Sequence, residues 1–300
     1  MAPTTPGSDL RSWNPRGLAG LKHVRSITLA MRRHALEGEP SVRMLNKVPA
    51  VTLIFWLIKT MATTVGETAA DFLSTTLHLG LIVTSYVMGA LLLLALAVQL
   101  MTRRYWPMAY WVVVVLVSVV GTLISDNLVD NLGVSLIVTS VIFGAGLAAV
   151  FVTWYASERT LSVHTIVTTR REIFYWAAIL LTFSLGTSAG DLIAEKLGLG
   201  YAYSVVLFLA LIAAVAGAYY VFKINAVLAF WIAYILTRPL GASTGDLLSQ
   251  PAKLGGLGLG TTWTSLLFLL AIVSLAGYLA LRQRRETADV ALPATVGERP

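Results

Sequence analysis

Four times along this 300-residue chain an aromatic-Trp pair is followed ten residues after the Trp by a glycine and five residues later by an aspartate. The copies are Phe55-Trp56, Gly66 and Asp71; Tyr110-Trp111, Gly121 and Asp126; Tyr175-Trp176, Gly186 and Asp191; and Phe230-Trp231, Gly241 and Asp246. Chance predicts roughly 0.015 occurrences of this Trp, Gly and Asp spacing, so the chain is an internal repeat and must fold into four like units. The Trp-to-Trp separations of 55, 65 and 55 residues also divide it into two halves offset by 120.

Each unit is made of long apolar runs. With 57% hydrophobic and 12% charged residues the chain lies outside the usage of soluble domains. Eight runs, at 48–73, 78–100, 111–128, 134–156, 174–192, 201–222, 226–248 and 259–281, are each close to the ~20 residues that cross a bilayer as a helix. Backbone groups in lipid need partners within their own segment, which favours helices over shorter, alternating barrel strands. The expected fold class is therefore all-α: a polytopic membrane helix bundle of about eight transmembrane helices. It is built of four parallel two-helix repeats, about 48–100, 105–156, 170–222 and 224–281. An even number of spans per repeat points all four copies the same way and predicts pseudo-fourfold or nested pseudo-twofold symmetry about the membrane normal.

The bases set the orientation. Eighteen of the 22 Lys and Arg fall in 1–47, in the alternate connections at Arg103–Arg104, Arg159 with Arg170–Arg171 and Lys223, and in the tail, whereas the opposite connections hold only Lys196 and Lys253. The positive-inside rule then puts both termini in the cytoplasm. The net charge of +7 is explained by topology, and no nucleic-acid partner is called for. With no cysteine there is no disulfide, thiolate metal site or thiol catalysis. The first span is the expected insertion signal. Residues 1–47 read as a cytoplasmic basic segment, either a helix lying on the inner leaflet or a tail, and 282–300 as a disordered cytoplasmic tail.

The four motif copies, with "NKVPAVTLIFWLIKTMATTVGETAADFL" and "SERTLSVHTIVTTRREIFYW", resemble a family of bacterial polytopic membrane proteins built from a four-times-repeated domain of unknown function. The resemblance covers about residues 44–281 and implies two spans per copy and a multi-pass protein of the bacterial cytoplasmic membrane. It brings no activity, cofactor or site residue.

Function is read from the aspartates. Asp lies about 22 Å along a helix from its Trp and within roughly 60° of the same face. Four such helices around an axis place Asp71, Asp126, Asp191 and Asp246 as an acidic ring at the outward end, supplemented by Glu67, Asp130 and Glu195. A carboxylate at a helix C-terminus opposes the dipole by a few tenths to ~1 kcal/mol, so compensation is expected. It comes either from a helix break near the motif glycine, with Asp capping the next short helix, or from a bound cation. The Trp residues at 56, 111, 176 and 231 are expected to anchor at the membrane boundary or pack around a path. Gly66, Gly121, Gly186 and Gly241 are expected at close helix contacts or hinges. Lys59 and Arg238, intramembrane bases, are candidates to neutralise carboxylates as ion pairs.

The expected function is transport of a small cation, either a divalent metal such as Mn²⁺ or Mg²⁺, or a proton, through the acidic site; the lipid bilayer and that cation are its partners. No enzyme activity and no cofactor is expected beyond such a bound cation, and the oligomeric state is left open. His78 and His164 are weak metal ligands, each lacking a second histidine at helical spacing. A non-transporting scaffold or sensor with structurally paired acids is the alternative. A less favoured one is an intramembrane aspartyl hydrolase, which needs one facing Asp pair that fourfold repetition does not single out.

Overall fold

The computed structural model describes residues 46–291, without the side chains of 286–291; apart from Asn46 and Lys47, the basic N-terminal segment lies outside the described residues, as do 292–300. The described residues form eight long helices: α1 (Leu53–Asp71), α2 (Gly80–Met101), α3 (Pro107–Asp126), α4 (Leu136–Glu158), α5 (Thr169–Asp191), α6 (Tyr201–Phe222), α7 (Ala226–Ser249) and α8 (Gly260–Ala291). Among the described residues there is no strand.

Local chemistry marks the helix starts. Thr52 Oγ1 accepts from the Phe55 N–H (3.3 Å) at α1, Thr168 Oγ1 from Arg171 N–H (3.3 Å) at α5, and Asn225 Oδ1 from Val227 and Leu228 N–H at α7. Pro107 opens α3, where its missing N–H costs nothing. At the far ends α1, α3 and α5 pass directly from their aspartate into a π-helical turn, at Phe72–Thr76, Asn127–Asn131 and Leu192–Lys196. Glycines at positive φ, such as Gly133 (66°) and Gly198 (71°), then turn the chain into the second helix of the repeat.

The odd-numbered helices form a closed ring: α1 packs on α3, α3 on α5, α5 on α7, and α7 back on α1. Each even-numbered helix leaves its own repeat and packs on the ring helix of the next, α2 on α3, α4 on α5, α6 on α7 and α8 on α1. Burial separates the layers: 56–67% of the apolar windows of α3, α5 and α7 is buried, against 6–22% for the even-numbered helices, whose apolar side chains face outward to lipid.

Seven helices, all but α1, are long and apolar enough to cross a membrane. Helix α1, the remaining expected span, holds Lys59 and Glu67 but turns both inward, 1% and 6% exposed, while presenting Leu53 and Leu57 outward. The tail expected from residue 282 is helical as far as Ala291, because α8 runs on beyond its apolar segment and Gln283 Nε2 donates to the Tyr105 carbonyl (3.1 Å).

Candidate functional site

The motif residues build three levels along the ring axis. At the Trp end, the aromatic before each Trp packs on the Trp of the following repeat: Phe55 on Trp111 (5.8 Å between centroids), Tyr110 on Trp176 (5.5 Å), Tyr175 on Trp231 (6.4 Å) and Phe230 on Trp56 (5.7 Å). This belt closes on itself, and the Tyr110 and Tyr175 hydroxyls meet across it at 2.5 Å. Trp111, Trp176 and Trp231 are 2–5% exposed. Of the two roles expected, boundary anchor or packing group, the burial of these three fits the second: a ring of parallel helices brings each Trp against its neighbour.

The motif glycines set the second level. A Cβ on Gly66 would overlap Ser118, one on Gly186 would overlap the stem of Arg238, and one on Gly241 would overlap Thr63; on Gly121 it would lie 2.7 Å from Phe183 Cβ. Each contacted residue sits three positions before the motif glycine of the next ring helix. The glycines are therefore close contacts, and the ring helices run through them unbroken. The expected helix break is corrected: Asp71, Asp126 and Asp191 make no side-chain cap, and the π-helical turn comes after them with its own backbone bonds.

Here lie the buried charges. Arg238, fully buried on α7, reaches into the centre of the ring: Nε donates to Phe183 O (3.4 Å), Nη1 to Thr63 O (2.6 Å), and Nη2 to Glu67 Oε2 (2.9 Å), to Thr187 Oγ1 (2.7 Å) and to Thr122 Oγ1. One side chain so joins all four ring helices. Lys59 donates to the Tyr234 carbonyl (2.8 Å) and the Thr237 hydroxyl, and lies 4.2 Å from the Tyr234 ring centroid. Both fall in the turns just before Pro239, which itself has no N–H to give. Of the two bases offered as partners for the aspartates, Arg238 has taken Glu67 and Lys59 has taken neutral oxygens.

Asp71, Asp126, Asp191 and Asp246 form the third level, one turn beyond Glu67, Thr122, Thr187 and Ala242. Because the four ring helices pack in a closed ring and the aspartates hold one register on them, the four stand at one level around its axis. Their carboxylates make no hydrogen bond or ion pair among the described residues, and Asp246 is only 6% exposed. Glu195 is held by the Tyr201 hydroxyl (3.0 Å), and Asp130 lies in the π-helical turn of repeat two. No group of three His, Asp or Glu among the described residues is close enough to hold a metal ion. His78, at φ 55°, precedes α2, and His164 lies in the short turn Val163–Thr165.

Sequence reasoning missed Thr122 and Thr187, although both occupy the register of Glu67 and an alignment of the four copies places them there. It also missed a second buried ion pair at the Trp end, Lys47 Nζ to Glu172 Oε2 (2.7 Å), with Gln99 Nε2 on the other carboxylate oxygen (3.2 Å).

Compared with known proteins, the chain matches the family described as "Repeat of Unknown Function (DUF347)" in four copies, at residues 54–105, 109–160, 174–225 and 229–285. The chain belongs to this family. In this member one family repeat is one ring helix with the even-numbered helix that covers its neighbour. No curated protein and no solved structure matches it.

Proposed function

We propose that this multi-pass membrane protein is a transporter of a small cation, a proton or a divalent metal, and that it sits in the bacterial cytoplasmic membrane with both termini inside. Asp71, Asp126, Asp191 and Asp246 carry the proton as they stand, whereas a metal ion requires at least three of them to draw closer than they are in this arrangement. One observation carries the reading. Among the described residues the buried charges Lys47, Lys59, Glu67, Glu172 and Arg238 each have a partner, whereas the four carboxylates at equivalent register, one buried and three half-buried, have none. Carboxylates in a membrane bundle are costly unless paired or hydrated, which favours a ligand or proton in their midst. Hard oxygen donors suit Mg²⁺, Mn²⁺, Ca²⁺ or a proton. The buried Ser125 and Ser188 hydroxyls meet at 2.8 Å on the α3–α5 seam, one residue before and three before the aspartates of those helices, and so place polar groups beside them.

The test is thermal stability of the purified protein across divalent cations and pH, for the wild type and for Asp191→Asn with Asp246→Asn. A ligand bound by the folded state alone raises stability by about 2.7 kcal/mol at a hundredfold excess over its Kd. The expected result is a cation- or proton-specific rise that the double variant loses, together with the flux in proteoliposomes. Flux retained in that variant removes the aspartates as the cation site, and no flux in either protein, with a destabilised variant, favours a structural role for the acids.

A further inference from the structure

We infer that Arg238 is the gate and charge filter of the axis: its guanidinium holds the ring shut through Glu67 and moves to a vestibule aspartate when the path opens. The inference rests on the transport reading of those aspartates, and the geometry supports it in four steps. Arg238 is the one side chain among the described residues seen to bond to the other three ring helices, and it sits between the aspartates and the aromatic belt, across any axial path. Of its partners only Glu67 is charged, so a single ionic contact distinguishes the closed arrangement from one in which the guanidinium is elsewhere. An outward movement has a destination: an unpartnered aspartate stands one turn beyond each contacted Glu67, Thr122 and Thr187. Inward movement is opposed, because the buried Lys59 side chain, bonded to the Tyr234 carbonyl and the Thr237 hydroxyl, fills the space behind it.

The stem packs closely over Gly186, where any Cβ would overlap it, so this position of Arg238 depends on the glycine. Pro239 next to it leaves α7 one backbone hydrogen bond short, which gives the helix a point at which to bend and carry the side chain outward. While Arg238 stays on Glu67, a cation leaving the aspartates meets the fixed guanidinium charge and cannot proceed, as in pores where an arginine excludes cations. Once Arg238 occupies an aspartate it competes there with the transported cation, which ties release of the cation to opening.

The chain has no cysteine, so a single introduced thiol reports access without background. Val114→Cys places it at the register of Lys59 and Tyr234, on the far side of Arg238 from the aspartates, and Thr75→Cys supplies an exposed reference at the aspartate end. The probe is a small cationic methanethiosulfonate reagent applied to the protein in detergent. With Arg238 and Glu67 intact, Val114→Cys should react far more slowly than Thr75→Cys; Glu67→Gln, isosteric but uncharged, should raise its rate by about tenfold, as a 1.4 kcal/mol shift in the closed population gives. Arg238→Lys, which loses the fork, should do the same.

Equal rates in all three backgrounds overturn the gate, as does fast labelling of Val114→Cys with the pair intact. If neither Glu67→Gln nor Arg238→Lys yields folded protein, the pair is a structural staple and the gate is again overturned. Thiol access does not depend on flux. A cation-specific stability shift with unchanged access sinks the gate alone, whereas changed access without any cation effect sinks the transport reading alone.

Discussion

Arg238 concentrates the energetics of the ring. A guanidinium bonded at this depth has replaced its water shell with two carbonyls, two hydroxyls and one carboxylate, and each partner in turn depends on it. Truncation by Arg238→Met leaves Glu67 charged and buried at 6% exposure, and should lower unfolding free energy by about 3–5 kcal/mol. Adding Glu67→Gln removes the orphaned charge, so the double variant should be more stable than Arg238→Met alone. Reversible denaturation in detergent of the two singles and the double measures this. An additive double would mean that Arg238 and Glu67 are energetically independent. Sequence reading found both residues as intramembrane charges but not their pairing, because the two are 171 residues apart and a residue on a helix says nothing about which helix it will meet. It also gave Lys59 a carboxylate to neutralise; the turn preceding Pro239 offered a carbonyl and a hydroxyl instead.

At the level of helices, the motif glycine is the contact on which the ring turns. Gly121 lies against Phe183 Cβ and the Ser184 N–H with no flexible atom to yield, so Gly121→Ala should overpack the α3–α5 seam and lower stability by about 1–3 kcal/mol. Gly217 on α6 has open space around it, and Gly217→Ala should be neutral or stabilise by up to about 1 kcal/mol from helix propensity. Parallel melts of the two variants decide; equal effects would show that the glycines act through backbone flexibility. Helices, their number and their common direction were legible, since length, apolarity and an even span count are one-dimensional properties. Two local features were not. The π-helical turn after Asp71, Asp126 and Asp191 leaves no composition signal, and a helix that stays intact through its glycine looks, in sequence, like one that breaks there.

The whole molecule is held by exchange between repeats. Because α4 covers α5 and α8 covers α1, each half of the chain, α1–α4 or α5–α8, contributes one outer helix to the other, across two seams, α3–α5 and α7–α1. This is the logic of an isologous dimer carried in one chain. The cyclic order and the exchange were not legible, as they depend on which surfaces meet and not on any one segment. Separated, the first half would turn Glu67, Thr122 and Ser125 toward lipid, and the second would turn Arg238, Thr187 and Ser188 the same way, all of them now buried. Each unsatisfied polar group in hydrocarbon costs several kcal/mol, more than a two-repeat unit can offset. A chain cut within the connection at 159–168 and expressed as two pieces should therefore co-purify through a tag on either one. Neither piece alone should give a monodisperse monomer. A first half that stays monomeric and helical by itself would mean that the ring seams contribute little, and that the repeats are independent two-helix units joined only by their connections.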